Sequence, residues 1–493
     1  MTSASPISGA RSRPAALNVA RLVAAYPYAL YGLLLTVVLL TAFQYALPRG
    51  CDAISTGLNL DGARFYQTQM HLNWVPRLGL DAFNIGGQCL VMLQWGLYAL
   101  VVAAGYYGAK INRRAVLGMT LGLGLFVAVF FSPLLSTDIY GYALYGRMAA
   151  YYGQNPYVTL PEFMAKHHDP AAQFMDWNLP MVYGPVWALL NIGLVALFKS
   201  AGLLAQIIAL KGLEAGALLL AAWAGGRLAE RLEPGRGALT TLAIGLNPLF
   251  LTQGPGTGHN DLLTVALLLA AALFFTEKKY AWAGLFLGLS VGVKVITLAA
   301  LPWLCLLLLM RRHRDGTVPQ GLARAGTLTL ATLLPTVIGY LPLWAGPHTL
   351  VGATKRTQWR VPAAALKREI LALHFLTHHH ITGAVLTAGV LMAQHADLII
   401  VFLLGTLWVA RSADKARWLT VWIGLAAFMM LFTFGMPFPS YLLWFWPLCL
   451  TRWDRLHWGI TFVCLYSAVL YTSQYYLVTV TVAYPHLFHT YFR

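Results

Sequence analysis

The stretch SPLLSTDIYGYALYGRMAAYYGQNPY, residues 132–157, follows directly on a run of apolar residues and places Asp138 where that run ends. It is the polar margin of a very apolar chain. The 493 residues are 58% hydrophobic and only 10% charged, against about 25% charged in a soluble protein. Long apolar runs recur on both sides of the quoted stretch. The reading is therefore an all-α polytopic membrane protein. Membrane β-barrels show short alternating segments instead, and none is visible here.

Hydropathy places spans at about 26–47, 88–108, 115–134, 205–226, 238–253, 261–276, 281–294, 296–310, 323–343, 394–410, 418–434, 440–451 and 457–476. Thirteen crossings are read, within a range of about 11–13 transmembrane helices. The first run lacks a small-residue cleavage site and is read as a retained helix rather than a removed signal peptide. With the N-terminus inside, the inner segments hold 20 of the 34 basic residues but only 6 of the 17 acidic ones. Most of the net +17 thus follows the positive-inside rule and needs no nucleic-acid partner. Residues 1–25 form a cytoplasmic tail, 26–476 one transmembrane domain and 477–493 an extracytoplasmic tail. The segment Val186–Lys199 is short and breaks the charge parity, so it is read as a helix lying in the outer interface. Three long outer connections remain, at about 48–87, 135–204 and 344–393, and long ordered loops are usually functional. The five cysteines, Cys51, Cys89, Cys305, Cys449 and Cys464, have no metal or redox spacing.

Within these loops a few residues are able to carry chemistry. If Ser136 caps a helix through 137–152, Asp138, Tyr142 and Tyr145 share one face at i, i+4 and i+7. Ser-Thr-Asp at a helix start is also ordinary capping and dipole chemistry. Gly153 and Pro156 in GQNPY, with Asn155 and Tyr157, should end that helix. MVYGPVW, residues 181–187, sets Tyr183 and Trp187 at the start of the interface helix.

The segment LNPLFLTQGPGTGHNDLLTVALLL, residues 246–269, exposes backbone at its glycines and groups His259, Asn260 and Asp261 before an apolar helix. Either Asn260 or Asp261 caps that helix, or His259 and Asp261 line a polar cavity. Asp and His can take a divalent cation, but two adjacent groups do not make a site, and no metal or other cofactor is assigned. Lys294 is a lone cation between two apolar halves, which needs a partner, an anion or a route to the interface. The outer loop TKRTQWRVPAAALKRE carries Lys355, Arg356, Arg360, Lys367 and Arg368. Arginine forks suit phosphate, and a solvated face or anionic headgroup contact is the alternative. His374 and His378 stand at i, i+4, with His379 and His380 following.

STDIYGYALYGRMAAYYGQNPY, VYGPVW, NPLFLTQGPGTGHNDLL and the Lys294 stretch, in this order, resemble the GT-C membrane glycosyltransferases. They resemble in particular the polyprenyl-phosphate-mannose-dependent α-mannosyltransferases that build bacterial lipoglycans. The likeness covers roughly residues 115–310 and elsewhere rests on hydropathy. It implies that Asp138 in TDIY is the catalytic aspartate of an early extracytoplasmic loop. It also implies transfer of a hexose, mannose by this likeness, from a polyprenyl-phosphate donor to a glycan or glycolipid acceptor at the outer face of the bacterial cytoplasmic membrane. The residues around 350–390 match no pattern of the family, which leaves the acceptor open.

The chemistry then asks for a carboxylate to take the acceptor hydroxyl's proton, Asp138, and cations for the departing phosphate, Lys294, Arg356 and Arg360. Tyr142, Tyr145, Asn155, Tyr157, Tyr183, Trp187, His259, Asn260 and Asp261 are the expected sugar-binding residues. One base with direct displacement implies inversion. The rival classes are a transporter or flippase of lipid-linked sugars, which a paired internal repeat would favour, and a ligase or polymerase of whole glycans.

Overall fold

The computed structural model describes residues 13–47, 59–134, 136–174, 178–310, 316–350, 399–412, 414, 416–429 and 439–474. Among these residues the regular secondary structure is helical, with isolated bridge positions at Leu78 and between Ala345 and Pro347. The chain is an all-α polytopic membrane protein.

Its helices run α1 Arg13–Phe43, α2 Leu60–Gln69, α3 Leu80–Tyr106, α4 Arg113–Phe130, α5 Asp138–Tyr152, α6 Glu162–Lys166, α7 Pro185–Leu197, α8 Gly202–Leu232 and α9 Gly237–Gly245. They continue with α10 Pro248–Leu251, α11 Asp261–Thr276, α12 Tyr280–Val293, α13 Ala300–Leu309, α14 Val318–Tyr340, α15 Ile399–Arg411, α16 Arg417–Phe428, α17 Trp446–Cys449 and α18 Arg455–Gln474.

Among the described residues five helical stretches are long and apolar enough to cross a membrane alone: Tyr26–Phe43, Asp81–Tyr106, Arg113–Phe130, Lys199–Leu232 and Val318–Leu343. A sixth forms only if Pro248–Gly256 and Asp261–Thr276 count as one span bent by 114°. Several of the thirteen expected crossings therefore resolve into shorter pieces. The stretch expected as one span over 238–253 is broken. Its helix stops at Gly245, and Asn247 restarts the chain by accepting the Leu249 and Phe250 N–H groups, with Pro248 in the first helical position. A π-turn over Thr252–Gly256 follows and accommodates Pro255. The stretch expected as a span over 440–451 is a 3₁₀ segment, Pro439–Trp444, and one α turn, Trp446–Cys449, too short to cross. α7 has 13 residues, about 20 Å at 1.5 Å per residue, which falls short of a bilayer core.

α11 is the axis of the bundle. It is apolar all round, and 14 of its 16 residues are buried, as expected of a helix with no solvent or lipid face. α8 and α12 pack directly on it, α4 and α9 pack on α8, and α14 packs on α12. α1 and α14 turn large apolar side chains outward, among them Tyr31, Leu35, Leu330 and Val337.

The short basic connections meet at one end of the bundle. There Arg236 donates to the Tyr106 carbonyl, Arg231 pairs with Glu277, Arg452 pairs with Asp414, and the Trp453 N–H donates to Glu233. The opposite end carries the start of α5, the turn before α11 and the end of α12.

Candidate active site

α5 begins where α4 can no longer continue. The chain leaves α4 at an extended Phe131, turns tightly where the Leu134 N–H donates to the Ser132 carbonyl, and re-enters helix at Asp138. The Asp138 N–H donates to Ser136 Oγ at 3.1 Å, so the hydroxyl of Ser136 does cap the helix, although Thr137 occupies the N-cap position. The helix ends at Gly153, which adopts φ 65°.

This connector is held from several sides. The Gln44 amide oxygen accepts the Ser132 N–H, Asn59 donates to the carbonyls of Pro133 and Ser136, and the Asn59 N–H donates to the Leu134 carbonyl. Asp138 stays 30% exposed at its side chain while Ile139 and Tyr140 behind it are buried.

The turn before α11 brings His259 to Asp138. Asp138 Oδ2 lies 3.2 Å from His259 Nδ1, off the line of a good hydrogen bond. Gly258 makes the approach feasible. Its φ is +78°, and a Cβ there would stand 2.5 Å from Ile139 Cδ1. A side chain at 258 would thus push the turn away from α5 at the residue next to Asp138.

Two residues beyond His259, Asp261 Oδ1 accepts from Lys294 Nζ and from Trp444 Nε1. Lys294 is the extended residue at which α12 ends, and its ammonium sits 5.7 Å from the Tyr183 ring centre and 5.5 Å from that of Trp444. α12 is fixed there by the Gly184 N–H, which donates to the Val293 carbonyl at 3.0 Å. Backbone approaches backbone so closely that a Cβ on Gly184 would be 2.3 Å from the Gly292 carbonyl oxygen. The Tyr-Gly-Pro turn is therefore a docking point for α12 as well as a helix start.

The structure brings together Asp138, Tyr142, Tyr183, Trp187, His259, Asp261 and Lys294. The Tyr142 hydroxyl lies 3.3 Å from that of Tyr183, and the Tyr142 ring meets Tyr183 and Trp187 edge-on. Burial pushes the Tyr142 phenol well above its ordinary range, and Tyr183, Asp138 and Asp261 push the same way, so it stays a neutral hydroxyl. Tyr145, Tyr157 and Asn155 turn their polar ends to backbone. Tyr145 donates to Leu179, Tyr157 to Tyr183 and Asn155 to Leu343. With Trp187 they form the packed support behind the polar groups.

Asn260 is the N-cap residue of α11, yet its side chain makes no cap bond, and neither amide atom has a hydrogen-bond partner among the described residues. That overturns the reading of Asn260 as an ordinary side-chain cap. Arg356, Arg360, His374 and His378 lie outside the described residues. Among the described residues no three His, Cys, Asp or Glu side chains gather into a metal-sized group. An apolar groove of about 500 Å³ between α4 and α8 shares none of these residues.

Sequence reasoning missed Trp444, Lys211 and Glu214. The last two were visible as ionisable residues inside an apolar run. Nothing local marked Trp444, whose partner Asp261 is 183 residues away.

Residues 53–310 match the model of the family described as Alpha-(1->6)-mannopyranosyltransferase, N-terminal domain, a little over half of the chain. The chain belongs to this family. It is also 27% identical over 335 residues to Alpha-(1->6)-mannopyranosyltransferase A of Mycobacterium tuberculosis. That match covers 64% of this chain and 61% of the relative's length. Asp138, the Gly258–Asp261 turn and Lys294 all fall inside the family match. Trp444 and the basic loop around Arg356 fall beyond it.

Proposed function

We propose that this chain transfers mannose from a polyprenyl-phosphate donor to a glycan or glycolipid acceptor, with inversion, at the outer face of the bacterial cytoplasmic membrane. The family membership supports mannosyl transfer. The observation that carries the mechanism is the partly open Asp138 carboxylate, set against His259 one residue from the start of α5's buried wall.

In the proposed reaction Asp138 accepts the proton of the acceptor hydroxyl. The acceptor oxygen bonds to the anomeric carbon from the face opposite the phosphate. The bond from that carbon to the phosphate oxygen breaks, and its electron pair leaves on the lipid phosphate. His259 stands beside the carboxylate, with Nδ1 3.2 Å from Oδ2. Lys294, steadied by Asp261 and Trp444, offers positive charge to the departing phosphate. Arg356 and Arg360 are proposed as further phosphate contacts from their sequence pattern alone.

The test uses purified protein in nanodiscs with polyprenyl-phosphate mannose and a bacterial glycolipid extract, reading release of polyprenyl phosphate. Asp138→Asn should lower turnover by about 10²–10⁴-fold while the protein stays folded. Near-normal turnover in that variant would rule out the base. A product linkage with the donor's anomeric configuration would rule out inversion.

A further inference from the structure

Two buried polar side chains in α8 take no part in the reaction described above. Lys211 and Glu214 both have 0% exposure. At i and i+3 they lie on one face of the helix, about one turn apart. Among the described residues no ion pair joins them; each reaches instead to the end of a different helix. Lys211 Nζ donates to the carbonyl of Phe131, the residue that closes α4, and to the Tyr66 hydroxyl at 3.3 Å. That hydroxyl in turn lies 3.3 Å and 3.2 Å from the Ala128 and Val129 carbonyls. Glu214 Oε2 accepts the N–H of Leu263, the third residue of α11, at 3.1 Å.

The chemistry matches each helix end. The C-terminal turn of α4 presents carbonyls and needs donors, while the N-terminal turn of α11 presents N–H groups and needs acceptors. A lysine meets the first and a carboxyl group the second. At α11 the residue that would ordinarily do this is the N-cap Asn260, whose side chain makes no such bond. Glu214 has taken its place from a neighbouring helix. The two helix ends also lead directly to the candidate pair: the chain runs from Phe131 through the connector to Asp138, and His259 stands just before Asn260.

We propose that Lys211 and Glu214 are positioning residues, a single turn of α8 that sets Asp138 against His259 by gripping the two helix ends that carry them. This rests on the reading of Asp138 as the base. The alternative role is general stability of the bundle.

Amide hydrogen exchange on purified protein separates the two without reference to activity. Lys211→Met should speed exchange across 132–140 and leave 257–264 as in the parent. Glu214→Leu should do the reverse. Glu214→Gln, which keeps an acceptor for the Leu263 N–H, should restore protection. If Lys211→Met fails to fold, Tyr66→Phe loosens the same grip and should give its exchange pattern.

In the polyprenyl-phosphate mannose assay, Lys211→Met and Glu214→Leu should each lower kcat by about 10²-fold with donor KM unchanged, and Glu214→Gln should recover most of it. Exchange rising evenly through the bundle, or no rescue by glutamine, would overturn the proposal. If the parent protein and Asp138→Asn turn over alike, the base assignment fails on its own, and the exchange pattern still decides whether the two helix ends are held this way.

Discussion

Gly258→Ala is the most direct test of how the pair is brought together. Two costs follow from the geometry. At φ +78° a Cβ brings left-handed strain of about 1–2 kcal/mol. The same Cβ would stand 2.5 Å from Ile139 Cδ1 and 3.0 Å from Cγ1, an overpacking that costs about 1–3 kcal/mol. The variant should therefore lose roughly 2–5 kcal/mol of stability.

Ile139 is fully buried and has little room to rotate its side chain aside, so relief of the clash by the backbone separates residue 258 from residue 139, and with them His259 from Asp138. A shift of about 1 Å at reacting groups can cost about 10²-fold in turnover. Ile139→Val removes Cδ1 and alone should cost about 0.5–1.5 kcal/mol. Combined with Gly258→Ala it should recover the larger part of the steric share, which is about 1–3 kcal/mol, and leave the 3.0 Å approach to Cγ1 and the backbone strain. The assay is a double-mutant cycle, with unfolding in mixed micelles read beside release of polyprenyl phosphate. Strict additivity would refute the reasoning. So would a Gly258→Ala protein with parental stability and turnover.

Arg147→Ala should destabilise the chain by about 3–5 kcal/mol, because its guanidinium forks onto Asp169 through Nε and Nη2 while the Asp169 side chain is fully buried; thermal unfolding checks this, and Arg147→Lys should rescue poorly for want of the fork. Asn247→Ala removes the acceptor of the Leu249 and Phe250 N–H groups and the bond to the Tyr98 hydroxyl. It should cost about 1–2 kcal/mol and leave kcat of the folded fraction unchanged, whereas His259→Ala should lower kcat. Asp414 is raised by burial, but Arg452, the Ala416 N–H and Arg417 more than offset this, so its carboxyl sits below the usual range. A depressed folded pKa gives stability that is present above the unfolded value, roughly 3.9, and is lost as pH falls through the folded value. Asp414→Asn should flatten that acid limb in a pH series of unfolding midpoints.

What was legible in the sequence was the polar punctuation of an apolar chain. Asp138, the Gly258–Asp261 turn and Lys294 each stand where hydropathy stops, and desolvation makes such residues conspicuous one at a time. Their partnerships were not legible. Asp261 and Lys294 are 33 residues apart, and Trp444 is far beyond both; only packing of α11 against α12 and the 3₁₀ segment 439–444 joins them. The break at Asn247 was hidden for a different reason. Apolar residues flank it on both sides, so a hydropathy window reads continuous helix where an asparagine and a proline restart the chain. The aromatic residues of α5 were visible as a cluster, yet their roles depended on where their hydroxyls ended, and Tyr140 donates to Gly62 across a gap of 78 residues.

The Asp261–Lys294 pair bears on how a donor phosphate would be met. A carboxylate held against an ammonium cancels most of its long-range pull, so Lys294 alone is a weak lure for an anion. It is still a competent close-range partner. An ammonium has three N–H donors, and the bond to Asp261 Oδ1 uses one of them. The rings of Tyr183 and Trp444 flank it and limit where the others point. Attraction and placement therefore call for different residues. In the proposed reaction Lys355, Arg356 and Arg360, which have no acidic residue between them in the sequence, suit long-range attraction, while Lys294, immobilised by Asp261 and Trp444, suits placement of one phosphate oxygen beside the bond that breaks. In the proposed reaction this division makes Asp261 a member of the site through Lys294, and it explains why an acid and a base are set together at the end of two apolar helices.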